Sequence, residues 1–291
     1  MLSEVLQILG PKPGEVAVDC TLGYGGHAAE LLPRLQPNGR LLGLDVDPVE
    51  LPKTEARLRA LGFGREVFSA HRTNFAGLPR ILATAGMSGA DMILADLGVS
   101  SMQLDDPARG FSMKYAGPLD MRMNPQRGQP ASRLLKEIRP ESLAQLLADN
   151  ADEPHARRLA EALASRDFRT TSDLAAAIRA SLKSVSEDES DLSVRRVFQA
   201  LRIAVNDEFS GLESFLRVLH SCLHPGGRVA ILTFHSGEDR RVKKAFQAGL
   251  RAGVYADIAR EVLRPTPNER HDNPRAAPAK LRWAIRKSER A

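Results

Sequence analysis

Cysteine and tryptophan are scarce: the 291 residues hold two cysteines, Cys20 and Cys222, and one tryptophan. Two thiols build neither a disulfide framework nor a zinc cluster, which fits a reducing compartment. No apolar run approaches the roughly 20 residues of a membrane span. Met1-Leu2-Ser3-Glu4 lacks a signal peptide's basic n-region and a transit peptide's arginines. The expectation is a cytoplasmic protein with no membrane partner. Internal repeats are also missing. Apolar residues at 43% and charged residues at 26% exclude a disordered or collagen-like chain. The length suits one or two domains with an ample core.

Charge is nearly balanced until the end of the chain. Residues 264–291 carry eight Lys/Arg against three Asp/Glu, a surplus of five that equals the whole chain's net +5. A concentrated basic segment suits a polyanionic partner. A solvated, solubilising tail is the other reading.

The first hundred residues alternate strand and helix patterns. The apolar runs 15–20 (EVAVDC), 40–45 (RLLGLD), 65–70 (REVFSA) and 90–96 (ADMILAD) read as buried strands. Helical stretches lie between them, at 27–35, 48–61 and 78–85. Repeated βα units imply a parallel sheet with helices on both faces. Residues 106–135 are rich in Pro, Gly, Met and Arg and show no period. From 140 to 221 the apolar spacing is helical throughout, apart from a polar acidic stretch at 184–191 that reads as a loop. Strand patterns return at 229–234, 254–263 and 280–287. This predicts one α/β domain (1–105 with 207–291) interrupted by an all-helical insertion (106–206).

Thr21-Leu22-Gly23-Tyr24-Gly25-Gly26-His27-Ala28 follows the first strand. Its glycines permit a tight turn and close approach of a ligand to the backbone, and a helix N-terminus follows. Gly23-x-Gly25-x-x-Ala28 satisfies the dinucleotide fingerprint, which alone is a weak signal. Asp45 ends the second strand, 22 residues past Gly23, where a carboxylate can accept ribose hydroxyls. Asp47, Pro48 and Glu50 read as a helix N-cap with a capping box. Nicotinamide cofactors and S-adenosylmethionine share the ribose, so these features suit both. Asp96 ends the fourth strand, before Leu97-Gly98-Val99-Ser100-Ser101, where a carboxylate suits chemistry beside a bound cofactor. A capping role for Asp96 is the structural alternative.

Read further, the sequence resembles the bacterial 16S ribosomal RNA cytosine-N4 methyltransferases, the MraW-like family. The resemblance rests on the run from Asp19 through His27, on Asp45-Val46-Asp47-Pro48, on Asn74-Phe75, and above all on Asp96 through Met123. It continues through Arg196 to Ile203, Phe234-His235-Ser236, Glu238-Asp239-Arg240, Asn273-Pro274-Arg275 and Ala279-Lys280-Leu281-Arg282. Gly237 departs from the family, where a leucine is usual.

The resemblance implies an α/β class I (Rossmann-like) methyltransferase fold whose inserted helical domain recognises rRNA. It implies that Gly25, Gly26 and His27 hold the methionine end of S-adenosylmethionine. Asp45 would hold the ribose, Phe75 would lie against the adenine, and Asp96 and Gln103 would complete the pocket. The implied substrate is the exocyclic N4 of a cytosine in the decoding region, with the 30S subunit or a late assembly intermediate as partner. The enzyme would act as a monomer or homodimer.

Asp96 would accept the amine proton. His235 would touch the flipped base or its phosphate, or simply pack. Ser236 borders the same crevice, although with Asp239 three residues on it also reads as a helix cap. Arg109, Arg122, Arg275, Lys280 and Arg282 are candidate contacts to the RNA backbone, or ordinary surface charge. Two other classes compete with methyl transfer: a nicotinamide-dependent oxidoreductase on the same glycine turn, and a catalytically silent rRNA-binding assembly factor.

Overall fold

The structure, a computed structural model, describes residues 1–288; Glu289, Arg290 and Ala291, the end of the basic segment, lie outside the described residues. The chain divides into two compact units, Met1–Gly98 with Ser210–Ala291, and Val99–Phe209.

The first unit opens with α1 (Leu2–Leu9), β1 (Val16–Asp19), α2 (Gly26–Leu35), β2 (Arg40–Asp45), α3 (Glu50–Ala60), β3 (Phe68–Arg72), α4 (Leu78–Thr84) and β4 (Ala90–Asp96). The second unit holds α5 (Ser101–Asp105), α6 (Ala131–Glu137), α7 (Pro140–Ala151), α8 (Ala156–Leu163), α9 (Thr171–Ser181) and α10 (Glu187–Asn206). Helix α11 (Glu208–Val218) leads back to β5 (Leu223–Thr233), α12 (Ser236–Arg251), β6 (Tyr255–Ile258), α13 (Pro267–Asp272) and β7 (Lys280–Arg286).

Seven strands form one sheet in the order β3-β2-β1-β4-β5-β7-β6. The first five run parallel, and β7 lies antiparallel between β5 and β6. The strand runs are continuously apolar because both faces are covered. Val18, Leu42, Leu44, Ile93 and Ile231 face one core, with Leu78 of α4, Phe215 of α11 and Phe246 of α12. Their neighbours Ala17, Leu41, Met92, Leu94 and Ala230 face the other, with Val5 of α1 and Leu31 and Leu35 of α2. Parallel pairing brings the carboxyl ends of β1, β2, β4 and β5 to one rim, with the reversal of strand order between β1 and β4.

Several boundaries differ from the sequence reading. Residues 99–105 and 207–209 belong with the helices, and Val99 and Leu104 pack on the helical core. Strand β3 is shifted to Phe68–Arg72, because a turn in which Phe68 N–H donates to Gly64 O occupies residues 64–67. Strand β5 starts at Leu223, six residues early, through a bulge that admits Pro225 and Gly226. The acidic stretch at 184–191 is mostly helix: Ser186 Oγ accepts from Glu189 N–H, and Glu187, Asp188 and Glu189 fill the first turn of α10. Acids placed there favour the helix dipole.

Candidate active site

The glycine turn is held from two sides. Gly25 N–H donates to Leu22 O at 2.7 Å, closing the turn. Asp45 accepts from Gly23 N–H at 2.8 Å through Oδ2 and from Asp47 N–H at 2.9 Å through Oδ1. Helix α3 braces the turn's outer side: the Thr54 hydroxyl donates to Gly23 O and the Arg57 guanidinium to Tyr24 O. Gly25 has φ +83°, and a Cβ there would lie 2.8 Å from Thr54 Cγ2. Both facts require glycine. Asp47 Oδ1 accepts from Val49 and Glu50 N–H in the turn ahead of α3. The helix starts at Glu50 with Val49 as its N-cap, so the expected cap is not Asp47, and the Glu50 carboxylate pairs with Lys53 instead of closing a capping box.

Three carboxylates gather at the tips of β1, β2 and β4. Asp19 is 1% exposed; burial raises its carboxyl to about 7, the charges of Asp96 and Asp45 adding to the rise. Burial likewise raises Asp45. Asp96 is raised to about 7 by burial, with Glu238 pushing in the same direction. Its backbone N–H donates to Thr21 Oγ1 at 2.6 Å, which seats the tip of β4 on the glycine turn. Its Oδ1 is enclosed and has no hydrogen-bond partner among the described residues. Its Oδ2 lies 3.8 Å from His27 Nδ1. Burial lowers His27 to about 4, so the contact is with a neutral imidazole and is not an ion pair at neutral pH.

Phe75 follows β3 by three residues. Thr73 N–H donates to Asp45 O, tying that corner to the tip of β2. The Phe75 ring packs on Phe215 at 5.3 Å between centroids. On the opposite flank, Phe234 N–H donates to Glu238 Oε2 at 2.8 Å, and Glu238 Oε1 lies 3.2 Å from His235 Nε2. Helix α12 starts at Ser236 and its N-cap is His235, whose Nδ1 accepts from Glu238 N–H. The expected cap thus falls one residue earlier than Ser236.

In the helical unit, Gln103 Oε1 accepts from Ser100 N–H and Ser100 Oγ from Gln103 N–H, a capping box that starts α5. Arg109 donates to the carbonyls of Arg122 and Met123, and Arg122 forms a two-pronged bond with Asp120. The segment without period is thus held by side-chain bonds to its own backbone. In the first unit, Arg282 is 6% exposed and bonded to Asp239 at 2.6 Å, and Lys280 pairs with the same carboxylate at 3.5 Å. The guanidinium of Arg282 is committed inside the fold, which corrects its reading as a phosphate contact. Arg275 is exposed.

Asp19, Thr21, Thr54, Arg57 and Glu238 escaped the sequence reading of the site. Asp19 had a signal, as the acid closing an apolar strand before the glycine turn. Thr54 and Arg57 had none, since only folding brings α3 to the turn.

The arrangement suits S-adenosylmethionine. The turn and the first N–H groups of α2 could hold an amino-acid carboxylate, Asp45 could accept from a ribose, and Asp96 has a side chain 32% exposed at the tip of β4. A separate open depression of about 410 Å³, lined by Glu4, Gln7, Ile8, Arg228 and Trp283 among others, lies towards the opposite ends of the strands and takes no part in this site.

What separates these residues from a dehydrogenase is the far edge of the sheet. A dinucleotide-binding sheet runs 3-2-1-4-5-6 in parallel, whereas here β5 is followed by an antiparallel β7. The class is that of the Rossmann-like, S-adenosylmethionine-dependent methyltransferases. The chain belongs to the MraW methylase family, whose model matches residues 1–287. It is 48% identical over 294 residues to ribosomal RNA small subunit methyltransferase H 2 of Alkaliphilus metalliredigens, covering 98% of this chain and 84% of that one. It is 46% identical to ribosomal RNA small subunit methyltransferase H 1 of Lachnoclostridium phytofermentans, covering 98% and 80%. Among solved structures it is similar to a putative rRNA methylase from Clostridium thermocellum, with TM-score 0.46, 12% identity and coverage of 97% and 94%.

Proposed function

We propose that this protein methylates the exocyclic N4 of a cytosine in the decoding region of 16S rRNA. The observation that supports the chemistry is Asp96: a carboxyl raised to about 7 at the tip of β4, with its side chain still 32% exposed. The relatives named above as ribosomal RNA small subunit methyltransferases supply the class of substrate.

Gly25, Gly26 and His27 hold the methionine end of the donor, Asp45 its ribose, and Phe75 lies beside its adenine. The role of the helical unit is rRNA recognition. The bound donor supplies an electrophilic methyl group on sulfur. A cytosine amine is a weak nucleophile because its lone pair is delocalised into the ring. Asp96 accepts a hydrogen bond from the amine, which localises that lone pair, and then takes the released proton. Holding the nitrogen in line accounts for about 7–11 kcal/mol of barrier lowering in well-oriented reactions. His235 shapes the base pocket through the corner it caps, beside Ser236. Arg109 and Arg122 in the helical unit, and Arg275 and Lys280 in the first unit, are candidate contacts to the RNA backbone. The partner is the 30S subunit or a late assembly intermediate, and the unit of action is a monomer or homodimer.

The test is methyl transfer to 30S particles, with mass-spectrometric mapping of the modified nucleoside. N4-methylcytidine in 16S rRNA is the expected product. Asp96→Asn should lower turnover by about 100-fold or more, the range for loss of a positioned proton acceptor, while S-adenosylhomocysteine still binds. Unchanged turnover removes Asp96 from the chemistry. A wild-type enzyme that binds 30S particles and modifies no cytosine favours a silent assembly factor.

A further inference from the structure

One side chain of the glycine turn is not used by the reading of the site given above. Tyr24 stands between Gly23 and Gly25 and is 60% exposed, second only to Leu61 among the exposed large hydrophobics of the described residues. The exposure is not slack. The Arg57 guanidinium lies over the ring, 3.8 Å from its centroid. The same guanidinium donates to the Tyr24 carbonyl at 2.9 Å and to Thr54 Oγ1 at 2.7 Å. Thr54 is itself fully buried and bonded to Gly23 O. Ring, cation and backbone therefore form one braced unit on α3, with one ring face covered and the other open.

A large aromatic face held open to water at the rim of a cofactor turn loses the benefit of apolar burial, so a partner of matching shape gains by covering it. We propose that Tyr24, backed by Arg57, is a stacking platform for an unpaired nucleobase of the RNA substrate, next to the cytosine that enters the site. The chemistry fits on three counts. A nucleobase presents a flat π-face of the size of the exposed ring, and sequence-tolerant stacking on aromatics is how single-stranded RNA is gripped. The fixed cation beneath the ring adds charge complementary to the adjoining phosphodiester. The chain entering this turn is bonded to the tip of β4, since Thr21 Oγ1 accepts from Asp96 N–H, so the platform belongs to the same rim as Asp96. The rigidity matters as well, because a ring already held in one rotamer loses little entropy on binding.

This inference rests on an RNA substrate, and the experiment separates the two. Wild type, Tyr24→Ala, Tyr24→Leu and Tyr24→Phe are compared for KM on 30S particles with labelled methyl donor, and for S-adenosylhomocysteine affinity by calorimetry. Tyr24→Ala and Tyr24→Leu should raise KM about tenfold, the scale of losing one stacked base, with S-adenosylhomocysteine affinity kept within about threefold. Tyr24→Phe should restore KM, because the flat ring and not the hydroxyl is what stacks. If Tyr24→Leu performs as well as Tyr24→Phe, or KM stays at the wild-type value in Tyr24→Ala, the platform is overturned. It is overturned equally if S-adenosylhomocysteine affinity falls in parallel with KM, since the ring then covers the cofactor. A wild-type enzyme inactive on 30S particles sinks the rRNA reading itself, whatever the variants do.

Discussion

Asp96 and Asp19 are neighbours with the same shift and different duties. Each is raised to about 7 mainly by burial, but Asp19 accepts a bond from Thr21 N–H while Oδ1 of Asp96 has no partner. The Asp96 side chain is nonetheless 32% exposed while Oδ1 is enclosed, so Oδ2 is the oxygen open to a substrate. As a proton acceptor Asp96 must be ionised, so kcat/KM should rise with pH and level off above about 7, falling tenfold per unit below it. A flat profile between pH 6 and 8 would exclude that role. Asp19 shows itself in stability instead. Between about pH 4 and 7 the folded protein keeps a proton that the unfolded chain, with its carboxyl near 3.8, has released. Stability from this group is therefore complete below pH 4 and lost as pH rises through 7. Asp19→Asn removes that loss, and its melting temperature should gain on wild type from pH 5 to pH 8. A gap that stays constant across that range contradicts the assignment.

The glycine turn works because α3 and the tips of β1, β2 and β4 are pinned to it together. Thr54, Arg57 and Leu58 stand at i, i+3 and i+4 on α3, one helical face, and all three touch the turn. Gly25→Ala places a Cβ against Thr54 Cγ2 and forces a side chain into the left-handed region. About 1–3 kcal/mol of strain is expected, visible as a lower melting temperature and weaker S-adenosylhomocysteine binding. A Cβ on Gly26 meets nothing within 4 Å, so Gly26→Ala should be milder in stability. The corner between β5 and α12 is built similarly, with Glu238 anchoring Phe234 N–H from within the helix it begins.

Across the whole molecule, basic residues divide into those consumed by the fold and those at its surface. Arg282 neutralises Asp239 in the interior, holding that carboxyl below its ordinary value, whereas Arg275 is exposed. Arg282→Ala should lower the melting temperature, because it strands a half-buried carboxylate. Arg275→Ala should leave the melting temperature near wild type and flatten the salt dependence of 30S binding by about 0.7 in log–log slope. The reverse pattern would show that the basic carboxyl-terminal segment serves the fold alone. No described helix is long and apolar enough to cross a membrane.

Local signals settled much of this protein. A four-to-seven-residue apolar run between helical periods has to be a strand covered on both faces, which is why β2 and β4 fall where the residues alone put them. Glycines at Gly23 and Gly25, and acids closing β2 and β4, announce a ligand at the rim, since those residue types serve close approach and hydrogen bonding. Boundaries that depend on partners were beyond local reach. The bulge that starts β5 six residues early depends on pairing with β4, and the assignment of residues 99–105 to the helical unit depends on where Val99 and Leu104 find apolar surface. Tertiary structure alone decided which charges are free to act: only folding encloses Asp96 Oδ1, spends Arg282 on Asp239, and brings Arg57 over Tyr24. Desolvation and pairing are properties of what surrounds a group, and sequence neighbours supply little of those surroundings.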